Sequence, residues 1–222
     1  PLTVVALVEH SPKTHAIIVP ANSSIKSIAD LKGKKIGGPQ PLTEDTFVVL
    51  ALQKAGLQPG DVKWYTVDNN SGRSALKTGA IDAWRTWDPF YANAQVTDGA
   101  VPLVDGVGYI QNYVTLFARN NYLSKYPETI KRFIQSYKQA LAYVKAHQSA
   151  SVNLFVQENK LSSQVAELPF NRRNYLISTP TPDFLADAEQ QSQILKQFGY
   201  LKVVPDWSKA VNTTLAQQAL GS

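Results

Sequence analysis

Apolar and polar positions change their period about halfway along the chain. Leu2–Val8 and Ala16–Val19 are short, β-branched apolar runs parted by the polar stretch Glu9–His15, and they predict two strands, the second ended by Pro20. Ser24–Leu31 predicts a short helix and Lys34–Gly37 a brief strand closed by Gly37, Gly38 and Pro39. From Thr43 to Ala55 the apolar positions Phe47, Val48, Leu50, Ala51 and Leu52 fall on one helical face. Thr43 suits the N-cap of that helix, Glu44 and Asp45 its first turn and Gly56 its end. Strands follow at Val62–Val67, Ile81–Trp84, Val101–Val104 and Tyr113–Ala118, with a short helix ending at Thr78 and another starting at Pro89. After Arg119 the period turns helical, with helices expected at Pro127–His147, Gln148–Asn159, Ser162–Asn174, Pro182–Phe198 and Trp207–Ala219. Alternating strands and helices followed by helices predict an α/β fold with mostly parallel sheets rather than a sandwich or a bundle.

Composition narrows this picture. At 222 residues and 44% hydrophobic content the chain is long enough for a large domain or two lobes with real cores. The formal charge is +5, yet residues 21–111 carry nine basic and nine acidic side chains, so the excess lies in 112–222. There the charges are spread over expected helices, which reads as solvated faces and argues against a nucleic-acid partner. No cysteine means no disulfide, thiolate or cysteine-based metal site. No apolar run reaches the roughly 18 residues of a membrane span. The chain opens at Pro1 and contains no Met, so a mature or trimmed piece is expected.

Enzyme signatures are weak. His10, His15 and His147 make no HxxxH spacing, no G-x-S-x-G elbow occurs, and Gly33–Gly38 matches neither a P-loop nor a dinucleotide fingerprint. No cofactor and no metal are expected. Three features carry more. The turn Gly37–Leu42 leads into the helix at Thr43, where free N–H groups suit either an anion or plain capping. The run Asp82-Ala83-Trp84-Arg85-Thr86-Trp87-Asp88-Pro89 sets two Trp, an Arg and two Asp at the carboxyl end of a strand, where open α/β sheets bind ligands. Its tryptophans suit either a pocket wall or the core. Asn112-Tyr113, beside the last strand, is the third.

These residues together resemble a known family. Val19-Pro20-Ala21-Asn22-Ser23-Ser24-Ile25-Lys26-Ser27-Ile28-Ala29-Asp30-Leu31-Lys32-Gly33-Lys34-Lys35-Ile36 is similar to the V-P-x-x-S-x-I-x-S-x-x-D-L-K-G-K-x-I/V segment of solute-binding proteins that serve ABC importers. Ala51-Leu52-Gln53-Lys54-Ala55-Gly56-Leu57 resembles their A-L-x-K-A-G-L. The stretch from Gly79 through Asp82-Ala83-Trp84 and Trp87-Asp88-Pro89 to Phe90 resembles the G-x-x-D-A-W-x-x-W-D-P-Y of the aliphatic sulfonate branch, near its taurine and nitrate relatives.

The resemblance implies a two-lobed, periplasmic-binding-protein-like type II α/β fold that closes on its ligand by a hinge. Residues 21–111 would form one lobe. The other would combine 1–20 and 112–222, lacking the strand–helix–strand unit that opens the family pattern. Ala16–Val19 and Tyr113–Ala118 would cross between them. A sheet with that position vacant is expected to be the looser of the two. The implied function is non-catalytic: a small organic anion bound in the cleft between lobes and handed to an ABC permease, by a periplasmic protein that is a monomer when full length. The candidate ligand residues are Gln40, Thr43, Asn69, Trp84, Arg85, Trp87 and Asn112. Side chains 84 and 85 must point to opposite faces of a strand, and Trp84 is expected to face the cleft. Two rivals share the scaffold: the effector domain of a LysR-type regulator, and a thiamine-precursor-synthase-like enzyme, which needs a reactive His or Cys.

Overall fold

The computed structural model describes residues 1–39 and 43–221, with Thr43, Glu44 and Asp45 described by their backbone alone. The strands are β1 (Leu2–His10), β2 (His15–Val19), β3 (Lys35–Gly38), β4 (Lys63–Thr66), β5 (Ala83–Trp87), β6 (Val101–Asp105), β7 (Tyr113–Arg119) and β8 (Tyr175–Ser178). The helices are α1 (Thr43–Lys54), α2 (Asn69–Thr78), α3 (Phe90–Asp98), α4 (Asn120–Lys125), α5 (Pro127–Ala146), α6 (Gln148–Asn159), α7 (Ser163–Arg172), α8 (Pro182–Gln197) and α9 (Thr213–Leu220). The chain divides into two compact units.

The second unit, Pro12–Ile110 with Asn159–Arg172, is built on a five-stranded sheet in the order β4-β3-β5-β2-β6. β3 runs parallel to β4 and β5, whereas β2 is antiparallel to both β5 and β6. Helices cover both faces. Ile17, Val19, Ile36 and Ala83 pack against Phe47, Val48, Ala51 and Leu52 of α1 on one side. Ala16, Ile18 and Trp84 pack against Leu76 of α2 and Tyr91 and Ala94 of α3 on the other. A strand buried on both faces needs apolar residues at successive positions, which is why His15–Val19 shows no alternation.

The first unit, Pro1–Ser11, Gln111–Glu158 and Arg173–Ser222, has a three-stranded antiparallel sheet in the order β7-β1-β8. Val5 and Ala6 pack with Ile130 and Ile134 of α5 and Leu215, Ala216 and Ala219 of α9. Val4 and Leu7 pack with Phe184 and Ala188 of α8. Register shifts at Val4/Ala6 and Leu7/Glu9 in β1 let it serve both clusters.

The structure departs from the sequence reading in five places. The sheets are mixed, as expected, but mostly antiparallel rather than mostly parallel, because β2 runs antiparallel to its neighbours and the first unit has antiparallel pairs alone. β8 was hidden in an expected all-helical half: its four residues are too short to show a period. The division between units falls at Ser11/Pro12 and Ile110/Gln111, not at 20/21 and 111/112. β2 is hydrogen-bonded on both edges within the five-stranded sheet, so Ala16–Val19 is part of that sheet and not a crossing, as Tyr113–Ala118 is part of the other. Finally, 159–172 joins the second unit because α7 packs on α3.

Candidate functional site

Three chain reversals of the second unit open on one sheet edge. Because β3, β4 and β5 are parallel, the segments leading to α1, α2 and α3 all emerge at their carboxyl ends, where open α/β sheets hold ligands. β2 runs the other way and starts there, so His15 lies opposite Trp87. This edge carries Gly38, Asn69, Thr86, Trp87 and His15.

Trp87 is half-buried and braced on two sides. The His15 ring stacks with it at 6.2 Å between centres and 23° between planes, and Phe90 meets it edge-on at 6.1 Å. The rest of its indole is open to solvent, and an indole face of this kind can receive the organic part of a ligand. Asn69, half-buried at the start of α2, accepts from the Thr86 hydroxyl at 3.4 Å.

Trp84 lies elsewhere. It is fully buried beneath α2, and a Cβ at Gly72 would stand 2.5 Å from its Nε1 and Cζ2, so glycine is what lets the helix lie on the indole. The expectation that Trp84 walls a pocket gives way to a core role: its face of β5 is covered by α2 and α3.

Arg85 points to the opposite face, as alternation requires, and is also fully buried. Its Nη2 donates to the Gly38 carbonyl at 3.0 Å, and its guanidinium stands 5.5 Å from the centre of the Trp64 ring. A Cβ at Gly38 would clash with the Arg85 Cγ, so the end of β3 lies directly on this side chain. The permanent charge of Arg85 therefore sits against the last residue of β3, in a medium where charge acts strongly. A helix start and a buried cation add fields of one sign at one edge, which attract an anion.

The start of α2 works differently. The Asp68 carboxylate accepts from the N–H groups of Asn70 and Ser71 at 2.9 and 3.1 Å. It is held below the usual carboxylate range first by the Ser71 hydroxyl and then by these N–H groups. Those donors are occupied, so α2 contributes Asn69 and not an anion-binding helix start. The two aspartates of the 82–88 run also part company. Asp82 accepts from the Lys35 N–H at 2.8 Å and joins β3 to β5 at the far end, while Asp88 accepts from the Ala92 N–H at 3.0 Å and caps α3.

Of the seven candidate ligand residues, the structure brings Asn69, Arg85 and Trp87 to one edge. Gln40 and the side chain of Thr43 lie outside the described residues. Asn112 belongs to the first unit, where its φ is 47° and its Nδ2 donates to the Ser11 carbonyl at 2.9 Å. The sequence reading named neither His15 nor Thr86 as a ligand candidate: Thr86 lies within the 82–89 run itself, whereas His15 reaches the edge only through strand pairing. Among the described residues no group of three or more His, Cys, Asp or Glu is arranged to hold a metal, and no helix is long and apolar enough to cross a membrane.

A fold of helix-covered sheets with this edge matches solved binding proteins. The crystal structure of the periplasmic aliphatic sulphonate binding protein SsuA from Escherichia coli superposes with a TM-score of 0.90 at 25% identity, over 95% of this chain and 69% of that one. The chain belongs to the NMT1/THI5-like family, whose pattern matches residues 1–151. A protein of Escherichia coli (strain K12) named for binding aliphatic sulfonates is 28% identical over 181 residues, which is 82% of this chain and 57% of the relative. The chain thus spans less than two thirds of that relative's length. The desulfurization enzyme DSZB shares the fold at a TM-score of 0.77 and 16% identity, covering 99% of this chain and 79% of that one.

Proposed function

We propose that this chain is the ligand-binding part of a non-catalytic, extracytoplasmic receptor that takes up a small organic anion, an aliphatic sulfonate or related oxyanion, and delivers it to the permease of an ABC importer. One observation carries the reading: an aromatic platform, Trp87, stands on the same sheet edge as a buried cation, Arg85, that donates to the Gly38 carbonyl at the end of β3. An alkanesulfonate has the two matching ends, an apolar chain for the indole and a head of permanent negative charge for the positive edge. The sulfonate-binding names of the relatives support the same class.

Isothermal titration calorimetry with ethanesulfonate, hexanesulfonate, taurine and nitrate tests the reading. Saturable binding of a sulfonate, tighter for the longer chain, is expected. Hydrolysis or desulfurization of any of these compounds by the purified chain would instead favour an enzyme. Failure of all four to bind would reject the anion-receptor reading.

A further inference from the structure

The tandem Arg172-Arg173 stands where the chain passes from the second unit back to the first. Its two guanidiniums serve different units. Arg173 Nη1 donates to both carboxylate oxygens of Glu9, at 2.9 and 2.8 Å, within the first unit. Arg172, the last residue of α7, reaches α3 in the second unit. Its Nη1 donates to both oxygens of Asp88 at 3.0 and 3.2 Å, its Nη2 donates to Gln95 Oε1, and its guanidinium lies 4.0 Å from the centre of the Tyr91 ring.

Asp88 is the hub of this arrangement. Its side chain is 0% exposed and it also caps α3 through the Ala92 N–H, while its own N–H donates to the Thr14 carbonyl at 2.9 Å. The residue before it is Trp87 and the residue after Thr14 is His15, the two stacked rings of the ligand face. Whatever fixes Asp88 therefore fixes the end of β5, the first turn of α3 and the lead-in to β2 together. The planar fork of Arg172 holds three partners at once, a task that a point charge such as lysine cannot reproduce.

We propose that Arg172, 84 residues from Asp88 in sequence, is a positioning residue for the ligand face, holding Trp87 in place through Asp88 and α3. The assignment rests on the reading of that edge as the ligand site. A merely neutralising counter-ion predicts something different. If Arg172 only offset the buried charge of Asp88, then removing both charges would restore the wild-type site. If it positions, the neutral double variant regains stability but not the placement of Trp87.

The test uses the whole chain with Arg172→Gln, the double variant Asp88→Asn/Arg172→Gln, Arg172→Lys and Arg173→Gln. Amide hydrogen exchange over residues 90–95 and calorimetric affinity for hexanesulfonate are the two readouts. Arg172→Gln is expected to speed exchange over 90–95 at least tenfold and to weaken hexanesulfonate about tenfold. The double variant is expected to recover the melting temperature with neither exchange nor affinity returning. Arg173→Gln leaves exchange over 90–95 as in the wild type. Arg172→Lys, which keeps the charge, gives an intermediate rate and decides the matter if the Gln variants do not fold. Wild-type exchange in Arg172→Gln or Arg172→Lys, or its full restoration in the double variant, would overturn the proposal. If the wild-type protein binds no hexanesulfonate, the sulfonate reading fails while the exchange readout still decides the role of Arg172.

Discussion

The two units of this chain solve the same burial problem with different amounts of structure. In the second unit a five-stranded sheet is covered on both faces, and its inner strands are buried almost to the last residue. In the first unit three strands serve two small clusters, and among the described residues the large apolar side chains more than half exposed all belong to it: Leu2, Phe117, Phe133, Tyr143, Leu154 and Val203. A surface carrying that much apolar area is less well paid in burial energy than a closed core. The comparison teaches where precision resides. The three candidate ligand side chains brought together, Asn69, Arg85 and Trp87, stand on the unit whose backbone is held from both sides, and the other unit contributes none of them.

The largest effect expected from breaking that contrast is in the core of the second unit. Trp84→Ala removes a fully buried indole and should cost about 3–5 kcal/mol of that unit's stability in urea unfolding. The first unit, whose clusters share no residue with it, should retain its own transition. A smaller loss follows from Gly72→Ala, which presses a methyl group onto the same indole and should cost roughly 1–3 kcal/mol by the same measurement. Equal loss from substitutions in either unit would mean that the two are not separately packed.

Trp87→Ala sharpens the comparison from the other side, since a half-buried residue matters more to the ligand than to the fold. Affinity for hexanesulfonate should fall by about 1.5–3 kcal/mol in calorimetry, the scale of one large side chain covered on binding, with only a small change in melting temperature. Unchanged affinity would remove Trp87 from the site.

The smallest effects are those of pH in the first unit. Asp187 is pushed above the ordinary aspartate range by burial, which outweighs the Gln111 N–H and Gln191 amide that it accepts. A raised folded-state value means that stability is fullest with the carboxyl protonated and declines as pH rises through that value. Asp187→Asn should therefore raise the melting temperature at pH 7 and flatten its decline above the acid range. Asp206 behaves oppositely. The Lys209 ammonium, ahead of the Ser208 hydroxyl, lowers it to about 2, so its contribution is present above the ordinary value of 3.8 and lost as pH falls toward 2. Thermal scans from pH 2 to 8 check both signs.

Much of the second unit was legible in the sequence because its strands are short, apolar and punctuated by Gly, Pro and Asp. The helix start at Thr43 and the opposed faces of 84 and 85 follow from local rules and are found in the structure. Which of those faces the helices cover is a tertiary matter, and there the local reading chose wrongly for Trp84. It was also silent on His15, brought to Trp87 by strand pairing across 72 positions, and on Arg172, brought to Asp88 by the packing of α7 on α3. No periodicity encodes either contact. β8 escaped for a different reason, since four half-buried residues carry too little pattern to compete with the helices around them.

On the proposed function, an anion with an apolar tail binds at the carboxyl edge of β3, β4 and β5. Amide hydrogen exchange of the whole chain with and without saturating hexanesulfonate tests it most directly. Protection is expected to concentrate at 38–46, 66–70 and 86–92, with little change at 20–24 and 97–101 on the opposite edge of the same sheet. Protection confined to that opposite edge, with none at the carboxyl ends of the parallel strands, would contradict it.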